Sequence, residues 1–200
     1  MKLKILLWLS LVGGLLWGLK PIYDLLILDR RIYTGYPPSD HTDYVKFLLP
    51  LLCIAGLLML AYKFHRPLTF SLTILTLALV SSSIFYYMET YQQFSDIPYM
   101  ILFSLPGMIL FFTGAFSLMV QIRRVADAQK TLFYLAITLT VLTVLYCILL
   151  PVGIFTLTEE TLTVLMAITN MLIGFTFGSF SVPFLITRKT KLNISTELTT

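Results

Sequence analysis

Charge is scarce in this 200-residue chain: Asp, Glu, Lys and Arg make up 12% of it, about half the share in an ordinary soluble domain. With 58% hydrophobic residues and a mean hydropathy of +0.88, that shortage argues for a lipid bilayer rather than water. Cysteine is rarer still. Cys53 and Cys147 lie inside apolar runs without a CxxC or histidine partner, so neither a disulfide framework nor a metal site is signalled. A quinone-linked thiol oxidase, which needs a paired thiol, is excluded on the same ground. Also missing is any Asp, Glu, Lys, Arg or His at the middle of an apolar run. Proton-coupled transporters, pumps and intramembrane proteases ordinarily need one. The residues call for no cofactor, and no basic patch with interleaved aromatics points to nucleic acid.

What is abundant is long apolar sequence. A spanning helix needs roughly 20 apolar residues to cross about 30 Å of hydrocarbon. Six runs qualify as candidates: Leu3 to Leu19, Val45 to Tyr62, Leu68 to Met88, Tyr99 to Ile122, Leu132 to Leu157 and Leu162 to Ile186. Nothing alternates with the period of a barrel strand, and backbone groups in lipid must be satisfied within the segment. The expectation is an all-α, polytopic transmembrane bundle of six spanning helices. Residues 1–187 would form one domain, with an outer loop over 20–46, and 188–200 a polar tail. The first run ends in "LLWGLKP" rather than in small residues, which reads as an uncleaved helix and not as a signal peptide.

Basic residues accumulate on the cytoplasmic side of short loops. With the amino terminus inside, Lys2, Lys4, Lys63, Arg66, Arg123, Arg124, Lys130, Arg188, Lys189 and Lys191 are cytoplasmic, and only Lys20, Arg30, Arg31 and Lys46 lie outside. Most acids fall outside. Six crossings then put both termini in the cytoplasm, in a bacterial-type cytoplasmic membrane. The formal charge of +4 follows from that orientation.

Candidate residues fall into three groups. Small residues at four-residue spacing let helices approach closely in a membrane: Ser10, Gly14 and Gly18 on the first helix, Gly174 and Gly178 with Asn170 on the sixth. They serve either packing within the chain or docking of a partner or second copy. The third helix carries a hydroxyl stripe of Thr69, Thr73, Thr76 and Ser83. Such hydroxyls either bond back to their own helix or line a polar path. Asn170 is the amide nearest a helix centre, and it needs a partner, with the stripe or Thr138 and Thr140 as candidates. Last, "YTGYPPSDHTDY" holds Asp40, His41 and Asp43 ahead of the second helix. The aspartates suit an acidic amino-terminal cap, and with His41 they would form a weak acid/base or cation cluster. Pro50, Pro106, Pro151 and Pro183 fall within helical runs, where kinks or breaks are expected.

Six helices in about 200 residues, cytoplasmic termini, a small-residue face on the first helix and a long outer loop resemble, in architecture alone, the substrate-binding subunits of energy-coupling-factor vitamin transporters. The resemblance implies a first helix docking on a shared membrane partner and an outer loop covering a vitamin. No ligand motif matches, so no site residue is carried over. Three functional classes remain: a non-enzymatic accessory component acting through helix packing and an ordered outer loop, a solute-binding or transport subunit, and an interfacial enzyme using the Asp/His cluster.

Overall fold

A computed structural model describes residues 2–26, 45–64, 68–92, 97–125 and 130–186. All six apolar runs are helical: α1 (Lys2–Leu26), α2 (Leu48–Phe64), α3 (Thr69–Gln92), α4 (Ile97–Arg123), α5 (Lys130–Thr156) and α6 (Glu159–Ser179). No strand occurs among the described residues. Five helices are long and apolar enough to cross a membrane, and α2, equally apolar, is shorter. Its 17 residues reach about 25 Å.

Helix ends depart from the apolar runs in physically explicable ways. Helix α1 does not stop at Leu19 but continues through Pro21 to Leu26, so the first seven residues of the expected outer loop are helical. Lys20 pairs with Asp24 one turn on, and Lys20 also lies 5.6 Å from the Tyr23 ring centroid. At the other extreme α6 stops at Ser179, seven residues before the apolar run ends. A turn at Phe180 and Ser181 follows, then a short helical stretch over 182–186. Pro183 accounts for the stop, because it offers no donor to the Ser179 carbonyl and its ring crowds that position. Thr158 caps the start of α6 by accepting from the Thr161 amide.

Each helix packs on the next in chain order, and α1 packs on α6, closing the bundle into a ring; α2 also touches α6. Neighbours run antiparallel, as paired contacts show: Gly13 against Leu52 and Ser10 against Gly56, Gly114 against Leu75 and Gly107 against Ser81, Gly153 against Leu162. The start of α1 and the end of α6 therefore share one end of the bundle, called here the Lys4 end. Its interior is filled by Leu60, Leu72, Leu75, Leu118, Ile122, Leu132, Leu139 and Phe180, all 3% exposed or less.

Candidate functional site

The small residues of α1 and α6 are spent on each other. A Cβ added to Gly14 would lie 2.6 Å from the Gly174 carbonyl oxygen, one on Gly18 2.7 Å from that of Met171, and one on Gly174 2.6 Å from the Gly18 nitrogen. Gly178 sits against the Leu11 carbonyl at 3.0 Å by the same measure. Ser10 turns to the other neighbour, where its hydroxyl donates to the Cys53 carbonyl over 3.5 Å.

The hydroxyl stripe of α3 divides. Thr73 and Thr76 donate to the carbonyls of Thr69 and Leu72 on their own helix, each over 2.8 Å, and Thr69 and Thr73 are exposed. Ser83 is buried and donates to the Phe47 carbonyl, over 2.5 Å, tying α3 to the turn that precedes α2. No Asn170 contact forms with any of them. Thr140 donates back to Ala136, and Thr138 is exposed. Asp40, His41 and Asp43 lie outside the described residues. Among the described residues no three His, Cys, Asp or Glu side chains come together, and Cys53 and Cys147 are both free.

Asn170 occupies the middle of the inward face of α6. Its helical neighbours at three, four and seven residues in both directions, Thr163, Met166, Ala167, Ile173, Gly174 and Phe177, are all buried. Asn170 is itself only half-buried, and among the described residues its carboxamide has no hydrogen-bond partner. The amide therefore lies on an inward helix face with part of its surface uncovered.

The same signature recurs on adjacent helices. Phe111 on α4 is half-buried between Gly107, Met108, Gly114, Ala115 and Leu118, all buried. Tyr146 on α5 is half-buried, with Leu139, Leu142, Thr143 and Gly153 buried along its face and Leu149 half-buried. Gly153 packs against Leu162, and that register brings Tyr146 level with Asn170. The Cys147 thiol faces the Met108 carbonyl at 3.9 Å, which places Phe111 within a turn of the same level. From α1, Trp17 reaches across the ring. Its indole N–H donates to the Tyr86 hydroxyl over 3.3 Å, and its ring lies 5.8 Å from Phe177 and 6.4 Å from Phe111. Phe111 and Phe177 meet edge to face at 5.8 Å. Phe177, two turns beyond Asn170 along α6, carries this aromatic cluster toward the Lys4 end. Toward the opposite end, Tyr86 carries Lys46 over its ring at 5.6 Å.

One polar group carries a contact that its sequence position did not announce. Gln121, near the end of α4, accepts from Ser71 of α3 over 2.8 Å and donates to Ser117 over 3.2 Å. Ser71 is fully buried. The apolar-run reading places Gln121 at a membrane boundary, where a polar side chain needs no partner in the protein, and only the register of α3 on α4 reveals one.

No protein-family model matches the chain, and neither does any curated protein or solved structure.

Proposed function

We propose that the protein is a six-span protein of a cytoplasmic membrane that binds a small solute inside its bundle, with Asn170 as the recognition group. The observation that carries this reading is the unpartnered carboxamide on an inward face. Leaving such a group without hydrogen bonds in an apolar interior costs roughly 2–7 kcal/mol, so water or a solute completes it. The glycines that would form a docking face for another subunit are covered within the chain by the α1–α6 contact. A partner would have to use other surfaces, and solute binding becomes the better reading. The cytoplasmic placement of both termini rests on the basic side chains Lys4, Lys63, Arg123, Arg124 and Lys130 at the Lys4 end.

Substituted-cysteine labelling tests the reading. In a C53A/C147A background reconstituted into bilayers, N170C should react with a small water-soluble methanethiosulfonate reagent, which attacks only hydrated thiols. I168C, on the exposed face of the same helix, should stay inert. An N170C thiol as inert as I168C sinks the proposal.

A further inference from the structure

Ionic charge is divided unevenly between the two ends of the bundle. Every acidic residue of the described stretches, Asp24, Glu89, Glu159 and Glu160, stands toward the end opposite Lys4. Toward that end Lys20 is paired with Asp24, and Lys46 lies over the Tyr86 ring. At the Lys4 end the described residues hold cations and no acid. Lys4, Lys63, Arg123, Arg124 and Lys130 are all exposed there, and none of them has an ion-pair partner. In sequence, the adjoining segments outside the described residues carry Arg66, Arg188, Lys189 and Lys191 against Asp127 and Glu197. We propose that the Lys4 end is a binding surface for acidic phospholipids, whose phosphate groups these five cations hold. The inference uses the membrane placement proposed above but not the Asn170 site.

Depth is argued first. Lys4 opens the apolar span of α1, Arg123 closes that of α4 and Lys130 opens that of α5, while Lys63 is the last residue but one of α2. Four helices of the ring therefore put a cation where hydrocarbon gives way to headgroups. A ligand whose negative charge is fixed at that depth suits such a rim, and a phospholipid is one.

Spacing and chemistry agree with it. The Cys147 thiol faces the Met108 carbonyl, and counting from that contact toward the Lys4 end brings Arg123 on α4 level with Leu132 on α5. Arg123, Arg124 and Lys130 thus lie within about a turn of one level on neighbouring helices. The guanidinium fork matches phosphate oxygens two at a time. On α2 the Lys63 ammonium rests 5.2 Å from the Phe64 ring centroid and 5.1 Å from that of Phe184. The rings hold it at the apolar edge by cation–π attraction without neutralising it. Acidic lipid is favoured by about fivefold for each Lys or Arg at a membrane surface.

Two exposed aromatic positions report on this rim. Trp8 is 55% exposed one turn from Lys4 on the same face of α1, and Phe116 is 48% exposed two turns before Arg123 on the same face of α4. Trp17 is 4% exposed and remains a shielded, constant background. Unaltered protein and a W8F/F116W variant are reconstituted into phosphatidylcholine vesicles holding a minor fraction of acyl-brominated phosphatidylglycerol, or the same fraction of brominated phosphatidylcholine. The acidic quencher should act more strongly at both positions, and raised salt should shrink the excess. K4Q should lower the relative association of the acidic lipid at Trp8 about fivefold, and R123Q/R124Q should lower it at F116W, with helix content unchanged. Inorganic phosphate should shrink the excess no more than chloride of equal ionic strength; a larger effect would make the ligand a soluble phosphate. Equal quenching by the two lipids would overturn the proposal, leaving the cations a role in insertion alone. An excess that survives the Gln variants would overturn the assignment to these side chains. If neither brominated lipid quenches Trp8 or F116W, the outer faces of α1 and α4 do not meet lipid and the membrane placement itself falls.

Discussion

Position 14 is governed by a distance between two helix backbones. A methyl group there would sit 2.6 Å from the Gly174 carbonyl oxygen, and neither atom can rotate aside because both are fixed to helix backbone. G14A gains about 0.5–1 kcal/mol of helix preference, whereas forcing volume into a packed contact typically costs about 1–3 kcal/mol. The expected net result is a lower Tm in detergent, and an unchanged or raised Tm would show that α1 and α6 are free to separate. Position 170 carries the opposite balance. Asn170 has no hydrogen bond to lose among the described residues, so N170L should leave Tm unchanged or raise it while weakening solute binding. Stability exchanged for function in this way is common at binding sites. A loss of about 2 kcal/mol or more on N170L would mean that the amide holds a structural partner.

Between elements, the polar tie of α3 to α4 is open to direct measurement. Ser71 donates to Gln121, which donates in turn to Ser117 one helical turn back. Hydrogen bonds between membrane helices average about 0.6 kcal/mol in double-mutant cycles. A cycle of S71A and Q121L, read by reversible unfolding in mixed micelles, should return a coupling of about that size; zero coupling would mean that the bond is not kept in the membrane. This tie also marks where sequence reading stops. Apolar runs locate helices well, because the hydrocarbon demands them, and they miss ends such as Leu26 or Ser179, which capping, ion pairing and proline decide. Four-residue spacing puts Gly14 and Gly18 on one face, but it does not say whether that face meets α6 or a second chain. For Thr73 and Thr76, spacing defines a stripe without saying that Thr73 looks outward. Asn170 is legible as an amide in need of a partner. That Tyr146 lies level with it follows only from helix register, which composition does not carry.

For the molecule as a whole, consecutive antiparallel helices closed by the α1–α6 contact put the beginning of α1 and the end of α6 at one end. Trp17 and Phe177 lie on the Lys4 side of Asn170, so the approach left for a solute at Asn170, as proposed, is the opposite end. Which compartment it faces is then a question of orientation alone. Lys4, Lys63, Arg123, Arg124 and Lys130 crowd the Lys4 end, and at the opposite end Lys20 is paired with Asp24. Positive charge is retained in the cytoplasm during insertion, so a solute at the proposed site should enter from outside. Single cysteines decide the matter in intact cells carrying the C53A/C147A protein. Thr158, exposed at the start of α6, and Arg124, exposed at the end of α4, mark the two ends. T158C should react with a membrane-impermeant maleimide at once, and R124C only after the cells are permeabilised. The reverse pattern would turn the proposed site toward the cytoplasm, making it a receptor for an internal solute. Labelling of both positions without permeabilisation would mean that the chain inserts in two orientations, and a fixed direction of solute access would have to be abandoned.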